Sequence, residues 1–163
     1  MRVKLGLPPI ARPDARLFLL GSLPGDASLA AQRYYAHPTN QFWRLLGQAI
    51  GEELQGLDYE ARVERLAERR IGLWDVIGSA ERAGSLDQAI REAEHNQIEH
   101  LLHDFGDLKA IAFNGTTAAR IGRGLIGEPA LGLTLIDLPS SSAANTTRFS
   151  DKAAAWVTLR EFV

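Results

Sequence analysis

The chain has no cysteine among its 163 residues, which excludes disulfides, a thiol nucleophile and any cysteine-ligated iron–sulfur cluster. Long apolar runs are also missing, and nothing approaches the roughly 18–20 residues of a membrane span. The first residues, MRVKLGLPPIARP, are interrupted by Pro8, Pro9 and Pro13, so they do not read as a signal peptide. Lysine is scarce, with 3 residues against 15 arginines. Arginine suits bidentate phosphate contacts, but a high-GC coding bias produces the same ratio. With a net charge of −2, composition does not announce a nucleic-acid binder. What is present is an ordinary globular balance of 45% hydrophobic and 23% charged residues, enough for one sizeable core. A single cytoplasmic domain spanning residues 1–163 is expected.

Short apolar runs alternate with helical patterns along the chain. Residues 16–20, RLFLL, read as a buried strand entering a tight loop at Gly21, Pro24 and Gly25. Phe42, Leu45, Leu46 and Ala49 recur on one face of a helix over 41–50. Asp58 is placed to cap a second helix carrying Tyr59, Val63 and Leu66. IGLWDVI (71–77) reads as a second strand. Residues 78–96 read as a polar linker ending at Asn96, a cap for the helix QIEHLLHDF. KAIAFNG (109–115) is a third strand, followed by a helix opened by Thr116 or Thr117, and LTLIDL (133–138) is a fourth, stopped by Pro139. A small polar loop, 140–149, then precedes a last helix capped by Ser150.

Continuous apolar strands alternating with helices imply an α/β fold: a three-layer α/β/α sandwich around a central four-stranded parallel sheet. Ligands of such sheets sit outside the carboxyl ends of the strands. Those ends are GSLPGD, WDVIGS, FNG and LPSSSAAN, and the first leads to YYAHPTNQFW (34–43), a mixture of aromatic and polar residues suited to a pocket wall. No G-x-G-x-x-G, Walker loop or G-x-S-x-G follows any strand. His100 and His103 have helical spacing but no further ligand at metal-site spacing, so no metal or other cofactor is expected.

In this order and at strand ends, GSLPG, AHPTNQFW, AFNG and LPSSSAAN resemble the uracil-DNA glycosylase superfamily, nearest to its deoxyinosine (hypoxanthine) group and related to the mismatch-specific uracil glycosylases. The resemblance runs from about residue 17 to the C-terminus. It implies a monofunctional enzyme of base excision repair that removes deaminated bases, hypoxanthine and also uracil, from DNA. A monomer without membrane association is expected.

Carried onto this chain, the resemblance makes Tyr35 the residue that stacks on an extruded base, where stacking is worth roughly 1–3 kcal/mol. A core aromatic is the other reading of Tyr35. It makes Asn114 the base-reading amide, whose adjacent donor and acceptor complement a ring C=O beside a ring N–H; a turn residue before Gly115 is the alternative. Gly21, Ser22 and Leu23 line the base pocket. Many members of the superfamily carry Asn or Asp where this chain has Leu23, which cannot act on water. The resemblance implies that Asn40 substitutes, a role compatible with capping the following helix. Asp26 and His37 are possible electrostatic helpers. Ser140, Ser141, Ser142, Ala144, Asn145 and Arg148 match the segment that grips the DNA backbone and probes the vacated stack, with Lys152 as a further cation. No lysine stands in any of the four loops, so a Schiff-base lyase is not expected. Leu23 also keeps open a non-catalytic nucleotide- or nucleic-acid-binding module, and the fold alone leaves room for a small-molecule hydrolase.

Overall fold

The computed structural model describes residues 3–163. The strands are β1 (Val3–Leu5), β2 (Leu17–Gly21), β3 (Ile71–Asp75), β4 (Ile77–Arg82), β5 (Ile90–His95), β6 (Ala110–Asn114) and β7 (Thr134–Leu138). The helices are α1 (Asp26–Ala31), α2 (Phe42–Ile50), α3 (Tyr59–Glu68), α4 (Leu101–Asp104), α5 (Thr116–Ile126) and α6 (Phe149–Trp156). The four expected strands form one parallel sheet in the order β3-β2-β6-β7.

Alternation along β2 explains the layers. Leu17 and Leu19 point into a core with Ile71, Leu73, Ala110 and Ala112, closed by Leu45, Leu46 and Ala49 of α2, Leu66 of α3 and Trp156 of α6. Phe18 and Leu20 point the other way, into a core with Ile111, Phe113, Leu101 of α4 and Ala118 of α5. A strand with a core on each face must be apolar at every position, and β2 is buried throughout. Asp58 caps α3 as expected, accepting the Ala61 N–H at 2.8 Å. α2 ends where Gly51 takes φ +74°, closing its N–H onto Gly47 O.

Residues 78–96 depart from the expected linker. β4 and β5 pair antiparallel, and β1 pairs with β4 from the other side, giving a second, three-stranded sheet. β5 is almost entirely solvent-facing and β4 buries only alternate stretches, with Ile77 and Ala80 in the second core, so neither strand is a continuous apolar run. The strand expected over 71–77 therefore ends at Asp75, and Ile77 begins the second sheet. Asn96 does not cap a helix: its side chain donates to the Asp75 carbonyl at 2.8 Å, and only a 3-10 turn and four α-helical residues follow. Ser150 lies inside α6, whose start has no side-chain cap. Helix α1 carries no sequence signal that separated it from the loop. Among the described residues, no helix is long and apolar enough to cross a membrane.

Candidate active site

The carboxyl ends of β2, β3 and β6 and the loop after β7 open into a cavity of about 620 Å³, within the ordinary range for small-ligand sites. Gly21–Gly25, Tyr35, His37, Asn40, Asp75, Asn114 and Ser140–Asn145 all line it. The kinked backbone at Tyr35 (φ +52°) aims its ring inward. Such a conformation is unfavourable for a bulky residue, and three bonds hold the segment: Trp43 Nε1–H donates to Tyr35 O (3.2 Å), Ala36 N–H to Ser28 Oγ (3.1 Å) and Tyr34 N–H to Tyr59 Oη (3.0 Å). Tyr35 stacks on Phe42, with ring centroids 3.8 Å apart and planes 9° from parallel. One face of Tyr35 is thus backed by the core.

Two side-chain amides meet through one serine. Asn114 Nδ2 donates to Ser141 Oγ (2.8 Å) and more weakly to Tyr35 Oη (3.3 Å). Ser141 N–H donates to Asn114 Oδ1 (2.9 Å), and Ser141 Oγ–H donates to Asn40 Oδ1 (2.8 Å). The Phe42 N–H also reaches Asn40 Oδ1 (3.0 Å), and the Gln41 N–H donates to Ser141 O (2.9 Å). Backbone N–H groups can only donate, so Phe42 and Ser141 fix which end of each amide is oxygen. Among the described residues, Asn40 Nδ2 has no protein acceptor.

Asp75 ends β3 beneath this network. It is 4% exposed, and its Oδ2 is buried without a hydrogen-bond partner. A Cβ on Gly21 would lie 2.6 Å from Asp75 Oδ1 and 3.0 Å from Tyr35 Oη, so only glycine fits between them. Burial pushes the Asp75 pKa up to about 7, with the Asp87 carboxylate adding to the rise and Arg82 opposing it. Burial, and then the Asp75 charge, raise the Tyr35 phenol and keep it protonated.

The Uracil DNA glycosylase superfamily model matches residues 8–160. A Hypoxanthine DNA glycosylase of Methanosarcina barkeri is 40% identical over 156 residues, covering 94% of this chain and 95% of the relative. One of Methanosarcina acetivorans is 40% identical over 154 residues, covering 94% and 96%. The solution NMR structure of a proposed uracil DNA glycosylase from Methanosarcina acetivorans superposes with a TM-score of 0.87 at 38% identity, covering 99% of each chain. The chain belongs to the uracil-DNA glycosylase superfamily. It is therefore a DNA glycosylase, and the parallel sheet with its flanking helices is the fold of that family.

Within this glycosylase the expected site residues do not all stand as the sequence suggested. Tyr35, Asn40, Asn114, Gly21, Ser22 and Leu23 converge on the cavity. Ser141 does not face a phosphate: it is fully buried, with its hydroxyl held between Asn114 and Asn40. Lys152 is buried at 1% exposure, and its ammonium donates to Gln41 Oε1 (2.9 Å) and Ser142 O (3.3 Å). It pins the loop and offers no cation to solvent. Asp26 is taken up by Lys4 at 2.6 Å, and His37 Nδ1 accepts the Thr39 N–H at 3.1 Å. The loop 140–147 is braced by its own side chains, with Ser140 Oγ accepting the Ser142 N–H and Asn145 Oδ1 accepting the Thr147 N–H. Ala144 and Arg148 are exposed.

Two buried residues escaped the sequence reading. Asp75 ends β3 within WDVIGS, one of the strand ends that face the crevice, so its position alone is a usable signal. Arg82 gave none. Its guanidinium is fully buried and donates to Gly84 O (2.6 Å), Pro24 O (2.8 Å) and Leu23 O (3.4 Å), tying the second sheet to the first loop.

Proposed function

We propose that this glycosylase hydrolyses the N-glycosidic bond of deaminated bases in DNA, with hypoxanthine as the principal substrate and uracil as a second, without a metal or a covalent intermediate. The observation that carries the reading is the fixed orientation of Asn114. Its Oδ1 must face the Ser141 N–H, so the amide cannot turn over. A lactam base entering the cavity brings a C=O to Nδ2, in exchange for the long Tyr35 contact, and a ring N–H to the second lone pair of Oδ1. Adenine and cytosine present the opposite edge and meet donor with donor. A buried polar pair left unmatched costs roughly 1–3 kcal/mol, so two mismatches yield several decades of discrimination. The two Methanosarcina relatives named as hypoxanthine glycosylases favour the purine.

Cleavage passes through an oxocarbenium-like sugar, so a strong nucleophile is unnecessary. Asn40 is assigned the water. Because its carbonyl is committed to Phe42 and Ser141, it holds water through Nδ2 as a donor. Backbone N–H groups of residues 21–25 are assigned to the departing base. Tyr35 offers its uncovered face to that base. Ser140, Ser142, Ala144, Asn145 and Arg148 are assigned to the DNA strand, where neutral hydroxyls position phosphates without reading sequence. Leu23 supports the competing reading of a binding module without turnover; release of free base from a duplex separates the two.

The test is Asn114→Asp assayed on deoxyinosine duplexes under single-turnover conditions. A carboxylate keeps the shape but removes the donor, and deoxyinosine excision should fall by about 10²-fold or more. Unchanged excision would show that Asn114 does not read the base.

A further inference from the structure

We propose that Ser141 is a positioning residue that couples base reading to water placement by orienting the Asn40 amide. This rests on the assignments of Asn114 and Asn40 made above and adds a connection between them. The chain of donors runs one way: Asn114 Nδ2–H to Ser141 Oγ, then Ser141 Oγ–H to Asn40 Oδ1, both at 2.8 Å. A serine hydroxyl has a single proton. Since Asn40 Oδ1 is identified as oxygen by the Phe42 N–H, that proton must go to Asn40, and the oxygen is left to accept from Asn114.

The Phe42 bond alone fixes where Oδ1 lies and leaves the amide free to swing about it. The Ser141 bond, from a residue 101 positions away in sequence, fixes the plane and hence the direction of Nδ2. Ser141 is itself held by its backbone on both sides, through Asn114 Oδ1 and the Gln41 N–H, and is 0% exposed. When a lactam draws on Asn114, the same amide still donates to Ser141, and successive hydrogen bonds polarise one another. A base that displaces Asn114 disturbs Ser141 and, through it, Asn40. Discrimination then appears in the rate of bond cleavage as well as in binding.

The experiment is a double-mutant cycle on single-turnover excision of deoxyinosine, with Asn40→Ala, Ser141→Ala and the double variant, each checked for duplex binding and cooperative melting. Asn40→Ala should lose about 10²-fold, and Ser141→Ala about 10-fold, because misdirected groups forfeit rate even when present. In the Asn40→Ala background, Ser141→Ala should cost clearly less than its roughly 10-fold in the wild type, since the orienting of Asn40 has nothing left to act on and only the lost acceptor for Asn114 Nδ2 still counts. Losses that multiply in the double variant would overturn the coupling, as would a full wild-type rate for Ser141→Ala. Should Ser141→Ala not melt cooperatively, Ser141→Cys, a weaker donor of similar shape, takes its place with the same expected pattern. An Asn40→Ala enzyme with the wild-type rate would overturn the functional assignment itself, a result distinct from multiplicative losses.

Discussion

Asp75 is the residue whose surroundings are least suited to its charge. Its carboxyl is buried, lacks a partner on Oδ2 and has a pKa raised from 3.8 to about 7. An acid whose folded pKa is raised contributes stability that is complete below the unfolded pKa. That stability declines as pH rises through the folded value. Asp75 should therefore weaken the fold progressively between about pH 4 and pH 7 and remain costly above that. Asp75→Asn removes the titration while keeping the shape. Its stability relative to wild type should be greater at pH 8 than at pH 4.5 by on the order of 2–4 kcal/mol, as about 1.4 kcal/mol per pKa unit requires. Urea unfolding at the two pH values measures it, and equal differences would mean that Asp75 is not held as an unpaired acid. The Tyr35 phenol, raised chiefly by burial, stays protonated throughout this window.

At the scale of elements, the second sheet carries function to the first loop. Arg82, at the end of β4, supplies donors to the carbonyls of Leu23, Pro24 and Gly84, while Ser22 Oγ–H donates to Asp87 Oδ1 at 2.6 Å. Arg82→Met keeps the length and removes every donor, leaving the buried Leu23 and Pro24 carbonyls unbonded while Gly84 O keeps its bond from Lys4 Nζ. It should cost about 2–4 kcal/mol in unfolding free energy. Arg82→Lys should recover only part of this, because a single ammonium cannot span three acceptors as a planar fork does. Chemical denaturation of the three proteins decides it; a Met variant as stable as wild type would remove Arg82 from the clamp. These strands were illegible in the sequence for a physical reason. β2, β3 and β6 are packed from both sides and so are apolar runs, whereas β4 and β5 bury little beyond Ile77, Ala80 and Arg82. Strands held largely by backbone pairing, with few buried side chains, leave little periodic mark.

Across the whole molecule, the loops expected at the strand ends line one cavity, because ligand crevices of parallel sheets form outside those ends. Asn114 was legible at such an end, whereas Tyr35 and Asn40 lie beyond α1 and were legible through the resemblance of their segment. Ser141 could not be told from its neighbours Ser140 and Ser142 in the sequence, since all three have the same side chain and only the fold distinguishes the buried one. Lys152 read as a cation beside DNA and proved to be an internal tie, a distinction that requires knowing what packs over it. Base release by a positioned water is tested most directly by chromatography of the products from a deoxyinosine duplex incubated with the enzyme in EDTA. Free hypoxanthine together with an intact strand carrying an alkali-labile abasic site is the expected result, whereas no released base, or release only after a divalent metal is restored, would contradict this chemistry.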